Sequence, residues 1–115
     1  MRPNPQFSAE LRFHFNEHAS PDRTRRFAFG ENLHRRVPMA MEGVEGLHTV
    51  GMWVPRAATF YPGDSATVDC VLIAPEIFAS ALKPGVSLEL WDIGFFATGT
   101  VLQRFDCGWS KSLKN

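Results

Sequence analysis

Residues 87–105 read SLELWDIGFFATGTVLQRF, and two folds compete for them. One is a glycine loop that cradles phosphate between a strand and a helix. The other is a pair of strands around a tight corner. A phosphate loop needs the pattern GxxxxGK[ST], so that backbone N–H groups and a lysine meet the anion. Gly94 and Gly99 are five residues apart, but Thr100 stands where the lysine belongs, and Val101 and Leu102 follow it. These residues favour a strand. Before the corner, Val86, Leu88 and Leu90 alternate with Ser87, Glu89 and Trp91. After it, Phe95, Ala97, Gly99 and Val101 alternate with Phe96, Thr98, Thr100 and Leu102. Two runs of period two around Asp92-Ile93-Gly94 predict a β-hairpin. Gly94 then serves the corner, and Gly99 permits a close backbone approach.

The same period recurs along the chain. In FSAELRFHFNE, Phe7, Ala9, Leu11, Phe13 and Phe15 share one face, and Ser8, Glu10, Arg12, His14 and Asn16 share the other. That is the pattern of a half-buried strand. HASPDRT reads as a turn, RRFAF as a short strand and GENLH as a loop. RRVPMAM reads as an edge strand, because Pro38 cannot donate to an inner ladder. LHTVGMWV is a strand with imperfect alternation. YPGDS is a turn built on Pro62 and Gly63. ATVDCVLIA follows, with Ala66, Val68, Cys70 and Leu72 on one face. PEIFASAL, residues 75–82, is the best helical piece, one or two turns opened by Pro75. Many short strands with few helices indicate an all-β barrel or sandwich.

Length and composition agree. The chain has 115 residues, enough for one domain, and 44% of them are apolar, including ten Phe and three Trp. Formal net charge is zero, which argues against a surface tuned as a whole to nucleic acid or anionic lipid. Cys70 and Cys107 are far apart and form no CxxC, so no zinc site is expected. No apolar run reaches the roughly 18 residues of a membrane helix, and MRPNPQFSAEL has no apolar stretch typical of a signal peptide. These features suggest a cytoplasmic protein that meets no membrane. Cys70 is expected to be a small core residue.

No catalytic motif emerges. GxSxG, HxH and HExxH are absent, and Glu42 and Glu45 lie in a polar stretch. No cofactor and no metal is expected, and the chain is read as a non-enzyme. One window stands out. RTRRFAFGENLHRR, residues 23–36, carries Arg23, Arg25, Arg26, Arg35 and Arg36, five of the twelve basic side chains, with His34 beside them and Glu31 as its only acid. Arginine forks match phosphate or carboxylate. Either these arginines are solvated and meet Asp22, Glu31 or Glu42, or they bind an anionic partner such as RNA.

The order of these motifs resembles the third domain of bacterial elongation factor Tu. FSAELRFHF is similar to its opening strand, F-x-A-x-V-x-x-L. RTRRFAFGENLHRR stands where that family has a basic segment leading into the next strand. YPGDSATVDCVLIAP is similar to its P-G-D, long strand and proline. LKPGVSLELWDIGFFATGTVLQRF is similar to its closing hairpin. The resemblance implies a single small antiparallel six-stranded β-barrel over residues 7–105, with an extension at 1–6, a tail at 106–115 and one short helical turn near 75–82. It also implies a binding module rather than an enzyme, and no GTP binding. The family's G-Y-R-P-Q-F segment is replaced by GENLHRR (Gly30 to Arg36), and its I-R-E-G-G-R-T corner by LWDIGFF (Leu90 to Phe96). Trp91 and Phe95 thus occupy two basic positions, beside Phe96. Aromatic residues exposed at a corner mark protein interfaces. The expected function is therefore a stand-alone barrel that binds a protein through Trp91, Phe95 and Phe96, as a translation-factor partner or mimic or an immunity-type protein. The alternatives are an RNA-binding protein that uses the arginine cluster, and an unrecognised small enzyme.

Overall fold

The computed structural model describes residues 4–14, 27–91 and 95–106. They form strands β1 (Phe7–Phe13), β2 (Phe27–Phe29), β3 (His34–Met41), β4 (Val44–Trp53), β5 (Ala58–Phe60), β6 (Ser65–Leu72), β7 (Ser87–Trp91) and β8 (Phe95–Arg104), with a 3₁₀ turn at Pro75–Phe78. Six strands close a barrel in the order β1-β6-β4-β3-β7-β8, each neighbour antiparallel to the next. The all-β reading and the six-stranded closure are thus observed. β2 and β5 pair separately as a two-stranded sheet.

The alternation read from sequence becomes the inside and outside of the barrel. Ala9, Leu11 and Phe13 of β1, Val37, Met39 and Met41 of β3, Val68, Cys70 and Leu72 of β6, and Leu88 and Leu90 of β7 are all buried. A small barrel has an interior that its own side chains fill. At Gly99 the filling is complete: a Cβ there would lie 2.8 Å from Leu11 Cδ2 and 2.8 Å from Leu88 Cδ1. The flanking leucines occupy the volume that a β8 side chain would need. Cys70 is buried as expected. Burial, and then the charge of Asp69, push its thiol well above the usual range, so it acts as a small apolar residue rather than a nucleophile.

Polar groups tie the seams. The Leu72 N–H donates to Gln6 Oε1 at 2.6 Å, the Gln6 N–H donates to the Cys70 carbonyl at 2.9 Å, and the Phe105 N–H donates to the Gln6 carbonyl at 2.9 Å. Barrel bonding therefore begins at Gln6, inside the extension read as 1–6. The Arg104 guanidinium donates to the carbonyls of Ala79 (2.7 Å) and Leu82 (3.0 Å), which holds the segment after the 3₁₀ turn against β8. Phe78 and Leu82 bury the apolar side of that segment.

Several expectations change. β3 is an inner strand, paired with both β4 and β7. Pro38 fits because it faces Thr49 of β4 just past the end of the β7 ladder at Met39, so it has an edge position inside a closed barrel. GENLH is a turn only to Leu33, which has a positive φ of 57°; His34 already belongs to β3. β5 was not foreseen. The alternation of β8 breaks at its start, where Phe96 and Ala97 are both fully buried. The turn expected at HASPDRT, the positions of Phe15, Arg23, Arg25 and Arg26, the corner at 92–94 and the tail from Cys107 lie outside the described residues. Among the described residues, no helix is long and apolar enough to cross a membrane.

The Gly99 contact gives a direct expectation. Gly99→Ala should destabilise the fold by about 1–3 kcal/mol through overpacking, measured as a lower urea midpoint with an unchanged slope. An unaltered midpoint would show that Leu11 and Leu88 can move aside.

Candidate functional site

The aromatic end of the barrel is assembled by three strands. Trp91 ends β7, Phe95 begins β8, and the two face each other in register. Their rings meet edge to face, with centroids 5.7 Å apart at 66°. His14 follows β1, whose Phe13 is paired with Ala97 of β8. The His14 N–H donates to the Phe96 carbonyl at 2.7 Å, and its ring stacks on Phe95 at 5.9 Å and 15°. Its Nε2 lies 2.8 Å from Thr98 Oγ1. Trp91, Phe95 and His14 therefore make a row of rings from β7 to β1. Trp91 and Phe95 are half-buried and His14 is exposed. Trp91 Nε1 is buried and has no hydrogen-bond partner among the described residues.

Phe96 does not belong to this row. It is fully buried and stacks on Phe27 at 4.7 Å and Phe13 at 6.2 Å, so it is not available to a partner. Sequence reasoning placed it at the surface because period two puts it opposite Ala97. The β2–β5 layer supplies the rings that cover it. His14 was missed as a site residue. Its pattern is that of any polar-face histidine, and its ring partner lies 81 positions later in the chain.

The basic window also separates. Arg23, Arg25 and Arg26 lie outside the described residues. The Arg35 Nη1 donates to the Ala28 carbonyl at 2.8 Å, and its Cζ sits 4.2 Å from the centroid of the Phe27 ring. This guanidinium fastens β3 to β2. Arg36 is exposed. His34 packs its ring 4.3 Å from Trp53, tilted by 34°, and lies over Gly51, where a Cβ would come within 2.9 Å of its Nε2. Burial, and then the charge of Arg36, lower the His34 pKa below its ordinary value. The half-buried Trp53, which sequence reading left within a strand, is thus part of the surface beside Arg36.

A hydroxyl beside an imidazole, as at Thr98 and His14, is one part of a nucleophilic site, but such sites also use a group that orients the base. No contact to His14 from a carboxylate is found among the described residues. Among those residues, too, no group of three or more His, Cys, Asp or Glu side chains is placed to hold a metal ion. No family model matches the chain, and no curated protein is significantly similar to it.

Two measurements follow. Arg35→Ala should cost about 1–3 kcal/mol of stability, through a lost charge-assisted hydrogen bond and a lost cation–π contact. Arg36→Ala should cost less than about 0.5 kcal/mol. Chemical denaturation of both variants checks this contrast; equal costs would contradict the structural assignment of Arg35. The second concerns pH. Because the native state lowers the His34 pKa, the unfolded chain binds the proton first as pH falls below about 6.5. The fold should therefore lose stability below that pH, and His34→Gln should flatten the decline. Parallel melting curves for wild type and variant between pH 7.5 and 5 would contradict it.

Proposed function

We propose that this chain is a non-enzymatic binding module, a translation-factor-like β-barrel that docks a protein on the ledge formed by Trp91, Phe95 and His14. The observation that carries this reading is the row of three contacting rings at one end of a closed barrel. Half-exposed aromatics on a rigid frame offer large apolar area at low ordering cost, which is why Trp and Tyr anchor interfaces so often. The closed six-stranded antiparallel barrel is the fold that the resemblance to the third domain of elongation factor Tu implies, and the role we favour for the chain is that of a translation-factor partner or mimic.

RNA binding is the second reading. It is favoured by one feature, the exposed Arg36 beside the His34–Trp53 ring pair, where a base could stack while the guanidinium meets a phosphate.

The two readings are separated by affinity capture from a cell lysate, with and without ribonuclease. Under the first, wild type retains a protein that survives ribonuclease, and Trp91→Ala combined with Phe95→Ala reduces its recovery at least tenfold. Retention that ribonuclease abolishes, or that Arg36→Ala abolishes while the aromatic pair is irrelevant, would replace the first reading with the second. A protein retained equally by wild type and by the Trp91→Ala/Phe95→Ala variant would remove the aromatic ledge from consideration.

A further inference from the structure

The outer face of β1, β8 and β7 forms an open groove of about 800 Å³. Its plan follows from the strand register. Thr98 of β8 faces Arg12 on β1 and Glu89 on β7, and Thr100 faces Glu10 on β1 and Ser87 on β7. Two threonines thus make the floor. Arg12 and Glu10 stand along one wall, and Glu89 along the other. Glu42 at the end of the groove is already engaged, since its Oε1 accepts from the Ser87 N–H at 3.2 Å and from the Ser87 hydroxyl at 3.3 Å. Glu10 and Glu89 are exposed, and neither meets a basic side chain among the described residues.

The spacing narrows what these two carboxylates can receive. They stand on strands separated by β8 and two residues out of register, hence their backbones are roughly 12 Å apart across two inter-strand steps and one pleat repeat. That separation leaves room for a long cationic side chain to lie over the threonine floor between them. The groove is also continuous with the aromatic ledge. Thr98 holds His14, and Glu89 and Trp91 lie two residues apart on β7. Two residues on an extended chain also place successive same-face side chains about 6.5–7 Å apart. A strand-like segment over the groove can therefore set a basic residue against Glu89 and Glu10 and an apolar residue, two positions on, against Trp91. Arg12 is placed to meet a carbonyl of such a segment.

We infer that the groove receives an extended protein segment in which a lysine or arginine lies two residues from an apolar side chain. This rests on the protein-docking reading of the aromatic ledge and names its partner's chemistry. The sign of the charge decides the choice: three glutamates line the groove against one arginine, so its field attracts cations and repels acidic peptides or RNA phosphates.

The test uses the full chain and two short fluorescein-labelled peptides. In one, lysine and leucine alternate with threonine between them; in the other, glutamate replaces lysine. Anisotropy titrations at low salt should show binding of the lysine peptide, no binding of the glutamate peptide, and an affinity for the lysine peptide that falls as salt screens the groove. The doubly substituted Glu10→Gln/Glu89→Gln variant, altered only at exposed positions and checked for an unchanged melting temperature, should bind the lysine peptide at least tenfold more weakly. Equal binding of the two peptides, no binding of the lysine peptide, an unchanged affinity in the variant, or displacement of the lysine peptide by labelled RNA would overturn the inference. Trp91→Ala separates this result from the reading beneath it. If the glutamate pair matters and Trp91→Ala has no effect, the groove stands and the aromatic ledge falls. If Trp91→Ala matters and the glutamate pair does not, the ledge stands and the groove falls.

Discussion

The ring of Phe13 joins the two sheets of this protein. It lies almost parallel to Phe60 of β5, at 4.9 Å and 4°, and stacks on Phe27 of β2 at 5.9 Å and on Phe96 of β8 at 6.2 Å. Phe29 closes the cluster, edge on to Phe27 and Phe60. β2 and β5 are three residues each, and a two-stranded sheet of that size is at best marginal by itself. Its stability comes from these rings. The barrel gains from the layer in turn, because Phe60 and Phe27 cover the rings of Phe13 and Phe96 at the ends of β1 and β8. Arg35 reinforces the join from outside. Once Phe96 is drawn into the stack, the rings left beside it, Trp91 and Phe95 with His14, become the exposed edge of the same aromatic layer.

The parts of this arrangement that could be read in the sequence are those whose cause is local. A strand with one face in a core must alternate, so β1, β6 and the β7–β8 hairpin announce themselves, and Gly99 reveals a close approach. Pro38 was also read for a sound reason, since among the described residues its site pairs with β4 alone. What escaped reading has its cause across the fold. β5 is too short for a period to develop. Phe96 obeys the alternation of its strand on paper, but a second sheet covers the position, so both Phe96 and Ala97 are buried. Arg35 looks like its neighbour Arg36 in every local respect. Only the arrival of Phe27 and the Ala28 carbonyl beneath its guanidinium separates a structural arginine from an exposed one.

Closure also limits how such a protein can recognise anything. Along β1 the backbone groups are taken by β6 on one side and β8 on the other, so a partner cannot add a strand there. The β3–β4 hairpin extends past β6, but β4 bulges there opposite Ala40, with Gly46 at a φ of +85°, which blunts the edge in the usual manner. Recognition is left to outward side chains. β8 shows how closely these are coupled to the core. The ladders to β1 and β7 fix the separation of the three strands, and Gly99 lets Leu11 and Leu88 fill the inner face between them. Thr98 and Thr100, its immediate neighbours, point outward between Glu10 and Glu89 and inherit that separation. The pleat that packs the interior thus also spaces the backbone of the groove, while the exposed Glu10, Glu89 and Arg12 side chains keep rotamer freedom that a partner would have to order.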